Sequence, residues 1–160
     1  MHRPLALLAA TLLFAAPAAG QIRHHDAGAA MVQSLAAAMD ANSDGAISLE
    51  ELTETSALIF EKIDADSSGS LTFEEMTDWE FGLAEMAEFR GRGQAYDAAM
   101  GVVFDMFDRD NSGQVDGTEH SEAITRAAQY ADTDNDGAMS FDEFYSNFIV
   151  NVALRNAMIE

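Results

Sequence analysis

Four stretches of this chain put oxygen-bearing side chains at alternating positions: DANSDGAISLEE (40–51), DADSSGSLTFEE (64–75), DRDNSGQVDGTE (108–119) and DTDNDGAMSFDE (132–143). Each has Asp first, an oxygen-bearing residue third and fifth, Gly sixth, an apolar residue eighth and Glu twelfth. Alternate residues of a tightly curled loop aim their side chains at one centre. An all-oxygen donor set suits a hard divalent cation of calcium's size, which takes 6–8 oxygens at roughly 2.3–2.6 Å, whereas magnesium demands a tight octahedron and keeps its waters. After the fifth residue the chain must reverse sharply, and a residue without a Cβ reaches φ > 0 at little cost. The seventh residue then offers a backbone carbonyl, and the twelfth, on the first turn of the outgoing helix, closes the sphere with both carboxylate oxygens.

This pattern resembles the EF-hand calcium loop, and the resemblance implies up to four bound Ca²⁺. It assigns Asp40, Asn42, Asp44, Ala46, Ser48 and Glu51 as ligands in loop one, and Asp64, Asp66, Ser68, Ser70, Thr72 and Glu75 in loop two. In loop three the ligands are Asp108, Asp110, Ser112, Gln114, Asp116 and Glu119, and in loop four Asp132, Asp134, Asp136, Ala138, Ser140 and Glu143. Carboxylates among the side-chain ligands number three, three, four and four. Because ligand charge tunes affinity, the second pair of loops is expected to fill first. The eighth residues (Ile47, Leu71, Val115, Met139) face inward, where each can pair with its counterpart in a neighbouring loop.

The elements that must position these loops are helical, so the expected class is all-α: helix–loop–helix repeats in two EF-hand pairs, with short β-type pairing between loops. Loop starts at 40, 64, 108 and 132 leave gaps of 24, 44 and 24 residues, the calmodulin-like plan of two lobes but with shorter spacing inside each. The expected division is 21–90 for the first pair, a hinge at Gly91-Arg92-Gly93, and 94–160 for the second. Thr53, Thr55 and Ser56 are poor interior helix residues and good caps, so the linker 52–63 reads as two short helices broken near Thr55. The alternative is one helix of about 15 residues, roughly 22 Å long. That would hold loops one and two at opposite ends and prevent their pairing. Elsewhere the periodicity predicts helices over 25–39, over 73–90 with Phe73, Met76, Trp79, Leu83 and Met86 in one stripe, over 94–107, and over 141–158.

Residues 1–20, MHRPLALLAATLLFAAPAAG, carry one Arg, a 12-residue apolar run from Leu5 to Ala16, and small residues before two cleavage points, after Ala18 or Gly20. The run is shorter than the roughly 17–25 residues needed to span a bilayer, and it reads as a secretory signal peptide. All but one of the eight basic residues are Arg and Ala is abundant, which suggests a bacterial chain, periplasmic or secreted. A formal net charge of −20 repels nucleic acid and anionic lipid. No second apolar run is long enough for a membrane span. The absence of Cys excludes disulfides, thiolate zinc sites and a Cys nucleophile. His24-His25 has no carboxylate cluster beside it, and His120 reads as an exposed helix residue. Nothing pairs a nucleophile with a base, and no phosphate loop is present, so no enzymatic activity is expected. The eight Met remaining after signal removal leave one partner class besides calcium: a protein or peptide held in a Met- and Phe-rich groove.

Overall fold

A computed structural model describes residues 26–78 and 83–158. Residues 1–20, expected to be a signal peptide, together with His24-His25 and Trp79, lie outside the described residues. In chain order the elements are α1 (Asp26–Met39), β1 (Ala46–Ser48), α2 (Leu49–Ile63), β2 (Ser70–Leu71), α3 (Phe73–Thr77) and α4 (Leu83–Phe89). They continue with α5 (Gly93–Phe107), β3 (Val115–Asp116), α6 (Gly117–Ala131), β4 (Ala138–Ser140), α7 (Phe141–Asn147) and α8 (Ile149–Met158). The fold is mostly helical, with helix–loop–helix repeats and small two-stranded antiparallel sheets between loops.

Each loop hands over to its outgoing helix through the same device. Ser48, Thr72, Asp116 and Ser140, the ninth residues, sit at the N-caps of α2, α3, α6 and α7, each with the twelfth-position Glu completing a capping box. Two helix-start amides are satisfied reciprocally, so the loop sequence itself fixes where the helix begins.

The linker is not broken. α2 runs without interruption through Thr55, and α6 spans the equivalent segment of the second half. The Thr53 hydroxyl donates to the Leu49 carbonyl at 2.8 Å and that of Glu50 at 3.0 Å, and the Ser56 hydroxyl donates to the Thr53 carbonyl at 3.0 Å. Their polar groups are therefore satisfied inside the helix and do not act as caps. Leu52, Ser56 and Ile63 are buried along α2, which packs against α6, where Ala123, Ile124, Ala127, Ala128 and Ala131 are buried. Burial on this shared face outweighs the weak helix preference of three hydroxyl residues.

A continuous α2, about 22 Å long, separates loops one and two, so the expected pairing within each half does not occur. Instead β1 pairs antiparallel with β4, aligning Ile47 with Met139, and β2 pairs antiparallel with β3, aligning Leu71 with Val115. The helices α2 and α6 thus run in opposite directions, with loops one and four at one end and loops two and three at the other. These pairings cross the segment 91–93 that was expected to divide the chain. The inward-facing role expected of the eighth residues holds: all four are buried, Leu71 and Val115 completely. They join Met39, Leu52, Met76, Tyr96, Phe104, Phe107 and Phe144 in one core drawn from both halves.

Two expected long helices are each two elements. α3 ends at Thr77, and α4 begins at Leu83. Within that stripe Met76 is buried, Phe73 meets the Phe104 ring edge-on at 5.7 Å, and Met86 is exposed. The C-terminal helix breaks at Phe148, whose extended backbone (ψ 112°) lets its ring stay buried and stack with Phe144 at 5.3 Å. The Asn151 side-chain amide donates to the Phe144 carbonyl at 3.0 Å, which satisfies a group the break exposes.

Candidate metal centres

In every loop the first Asp is held by two amides of its own loop. The amide of the fifth residue donates to one carboxylate oxygen, at 3.0 Å for Asp44 to Asp40, 2.9 Å for Ser68 to Asp64, 2.9 Å for Ser112 to Asp108 and 3.2 Å for Asp136 to Asp132. The Gly amide of Gly45, Gly69, Gly113 or Gly137 donates to the other oxygen, at 2.8–3.0 Å. The third-position oxygens of Asn42, Asp66, Asp110 and Asp134 accept the same fifth-residue amide. The fifth-position oxygens of Asp44, Ser68, Ser112 and Asp136 accept from the amides of Ala46, Ser70, Gln114 and Ala138. Each oxygen keeps lone pairs beyond these bonds, so the loop orients its donors without using them up.

The curl requires left-handed backbone at two positions. The sixth-position glycines have φ between 83° and 94°, as the sequence implies, and the fourth residues Ser43, Ser67, Asn111 and Asn135 also have φ near 60°. Sequence reasoning assigned the fourth residues no role. Their signal was the small polar side chain at each, two of them Asn, which tolerates this region better than most residues.

The twelfth Glu is fixed by both ends of its loop. One Glu143 oxygen accepts from the Thr133 amide at 2.7 Å and the Thr133 hydroxyl at 2.8 Å, and the other accepts from the Ser140 amide and hydroxyl at 3.0 and 2.8 Å. These bonds hold the Glu143 pKa down at about 2, with the Thr133 hydroxyl as the largest influence. Thr133 is a supporting residue that sequence reasoning passed over. The Ser48 amide and hydroxyl lower the pKa of Glu51, and Thr72 does the same for Glu75. Asp134 moves the other way. The Asp136 amide favours its charged form, but burial and the charges of Asp136, Glu143 and Asp132 together raise its pKa. That like-charge crowding is what a bound cation relieves.

Carboxylate oxygens of Asp64, Asp66 and Glu75 lie within 4.8 Å of one another, as do those of Asp108, Asp110 and Glu119, and those of Asp132, Asp134 and Asp136. Among the described residues Asp40, Asp44 and Glu51 of loop one do not form such a group, and its third position is the amide Asn42. Ser48, Thr72, Asp116 and Ser140 stand at the helix starts as caps. The side chain of Arg109, in loop three, pairs with Glu122 on α6 at 2.9 Å. The all-oxygen chemistry and the spacing of these donors fit a calcium-sized cation.

A family model described as EF hand matches residues 37–54, 57–78 and 102–119, and one described as an EF-hand domain pair matches 129–147. The chain carries EF-hand repeats. No curated protein gives a significant match. These repeats and the acidic clusters together imply calcium binding. Among the described residues no helix is long and apolar enough to cross a membrane.

His120, next to the EF-hand residue Glu119, is not exposed as expected. It is 7% exposed, with its ring edge-on to Phe60 at 5.2 Å and Phe107 at 5.7 Å. Burial lowers its pKa from 6.5 to about 4. Its contact with Phe60 places it on the face of α6 that packs against α2.

Proposed function

We propose that this chain is an exported calcium-binding EF-hand protein whose fold the metal stabilises, with calcium buffering as a further consequence. The observation that carries this reading is the gathering of carboxylates within 4.8 Å in three loops of a chain whose net charge is −20. Of 28 acidic residues, 17 lie inside the four loops, where they repel one another most. Loss of residues 1–20 removes Arg3 and takes the charge to −21, and four Ca²⁺ bring it to −13. The loop tips also carry the sheets that join the two halves, so metal binding and folding share the same residues. The role is one of binding, with no catalytic step.

The test compares calcium-loaded and chelated protein by calorimetry, thermal melting and small-angle scattering. Four calcium sites, a lower Tm after chelation and a larger radius of the chelated protein support the reading. An unchanged Tm and radius would refute it. Export is tested by fractionating the native host, which should yield mature protein beginning after Ala18 or Gly20.

The second reading, a calcium-dependent adaptor, has one favourable observation: Val102 and Met106 are exposed one turn apart on α5. Met39, Met76 and Met100, which by sequence suit either the core or such a groove, are buried core residues. Calcium-dependent binding of an amphipathic helical peptide would favour the adaptor over the buffer.

A further inference from the structure

We propose that the exposed face of α6 carries a binding site for a small phosphate dianion, free or as a monoester. The site is an open cleft of about 330 Å³ lined by Arg109, Ser121, Glu122, Thr125 and Arg126. None of these side chains belongs to the metal-ligand set. The site therefore goes beyond the calcium-binding reading, and either can fail without the other.

Two guanidiniums converge there on one carboxylate oxygen. Glu122 Oε2 accepts from Arg109 Nη1 at 2.9 Å, and Arg126 Nη2 stands 3.6 Å from the same atom. The cluster keeps a net positive charge in a chain whose formal net charge is −20. The described residues include six Lys and Arg side chains (Lys62, Arg90, Arg92, Arg109, Arg126 and Arg155), and two of them meet in this cleft. Each guanidinium offers five N–H donors in a planar fork. Among the described residues the Arg109 side chain makes one hydrogen bond and that of Arg126 makes none, because 3.6 Å is too long for one. Ser121 and Thr125 add hydroxyls one turn apart, neither with a partner among the described residues. The hydroxyls of Thr53, Ser56 and Thr77 instead donate back to helix carbonyls. The cleft thus gathers unused donors around a single acceptor group.

The internal repeat shows that calcium binding does not require this cluster. At the equivalent places of loop one and α2, 68 residues earlier, stand Ala41, Thr53, Glu54, Ala57 and Leu58. The second position of loops two and four, matching Arg109, holds Ala65 and Thr133. Both guanidiniums and the Thr125 hydroxyl are therefore additions to the second half.

Donor number and charge select the ligand. A monocarboxylate would meet Glu122 on equal terms, whereas a dianion outcompetes it for two cations, and an exposed ion pair gives up little when exchanged. Two forks and two hydroxyls exceed what the two oxygens of a carboxylate need and suit the three oxygens of a phosphate monoester. The cleft is larger than a bare phosphate, which leaves room for the group it is attached to. The overall negative charge repels nucleic acid and anionic lipid surfaces, so the ligand is a small molecule.

The test titrates the calcium-loaded full chain with glycerol phosphate and, in a second arm, with inorganic phosphate, at an ionic strength held constant with chloride. The side-chain Nε–H NMR signals of Arg109 and Arg126 report the site directly. They should shift to saturation with one ligand per chain, and the tighter arm tells monoester from free phosphate. Arg109→Gln and Arg126→Gln should each weaken binding about tenfold. Glu122→Gln, which removes the competing carboxylate, should strengthen it about threefold. All three side chains are exposed, so the variants keep the fold. Shifts that do not saturate, or equal affinities of wild type and Arg126→Gln, overturn the inference and leave the calcium-binding reading intact.

Discussion

Replacing Thr55 with Pro probes the feature on which the architecture turns. Thr55 lies in the interior of α2, seventh of its 15 residues. Proline there removes one helix hydrogen bond and drives its ring into the carbonyl of Glu51, at a cost of about 3 kcal/mol or more. Unfolding entropy is about 2.1 cal/mol/K per residue; over the roughly 130 described residues, 3 kcal/mol lowers Tm by about 11 °C. The loss should exceed this if the kink also misaligns β1 with β4 or β2 with β3, because α2 sets the separation of loops one and two. Thr55→Ala is the control. It keeps the amide, improves helix propensity and should stay within about 0.5 kcal/mol of wild type. The assay is thermal melting followed by far-UV circular dichroism in saturating calcium. If Thr55→Pro melts within about 4 °C (about 1 kcal/mol) of Thr55→Ala, the linker turns at this point, and the pairing of loops across the halves loses its cause.

Two further predictions concern other parts of the molecule. His120 binds a proton more readily in the unfolded chain (6.5) than in the folded one (about 4), so its burial is harmless above pH 6.5 and costs stability progressively as pH falls toward 4. At pH 5 the difference amounts to about 2 kcal/mol. In urea titrations wild type should therefore lose about 2 kcal/mol more than His120→Leu between pH 7 and pH 5, and equal losses would mean that His120 is reachable by solvent. Substitutions of two glycines with open space around the new Cβ should differ in sign. Gly137→Ala forces φ +94° on an L-residue and should cost about 1–2 kcal/mol with weaker calcium binding, whereas Gly101→Ala inside α5 should gain about 1 kcal/mol. Melting curves and calcium titrations of both variants check this.

Much of the site is legible in the sequence because its chemistry is local. Asp at the first position, oxygens at the third and fifth, Gly at the sixth and Glu at the twelfth act through atoms within about a dozen residues of one another. The hydrogen bonds that hold Asp40 or Asp132 come from amides four and five positions away. The same closeness makes Ser48, Thr72, Asp116 and Ser140 readable as the points where helices start. The left-handed fourth residues are not legible because their work is backbone geometry, which no side-chain pattern states directly, and Thr133 is not because its hydroxyl meets Glu143 only once the loop has closed.

The sequence alone determined four acidic loops, their donor chemistry, the all-α class and the inward face of Ile47, Leu71, Val115 and Met139. It did not determine which loop meets which, since those four apolar residues are interchangeable as partners. Thr53, Thr55 and Ser56 suit a break as well as an internally bonded helix. Tertiary structure decided both questions at once. The packing of α2 against α6, with Leu52, Ser56 and Ile63 buried, goes with a continuous α2, and a continuous α2 carries loop one to loop four and loop two to loop three. The burial of His120 between Phe60 and Phe107 and the break at Phe148 follow from the same long-range packing. Segments distant in sequence compete there for one shared core, and no local pattern records which of them prevails.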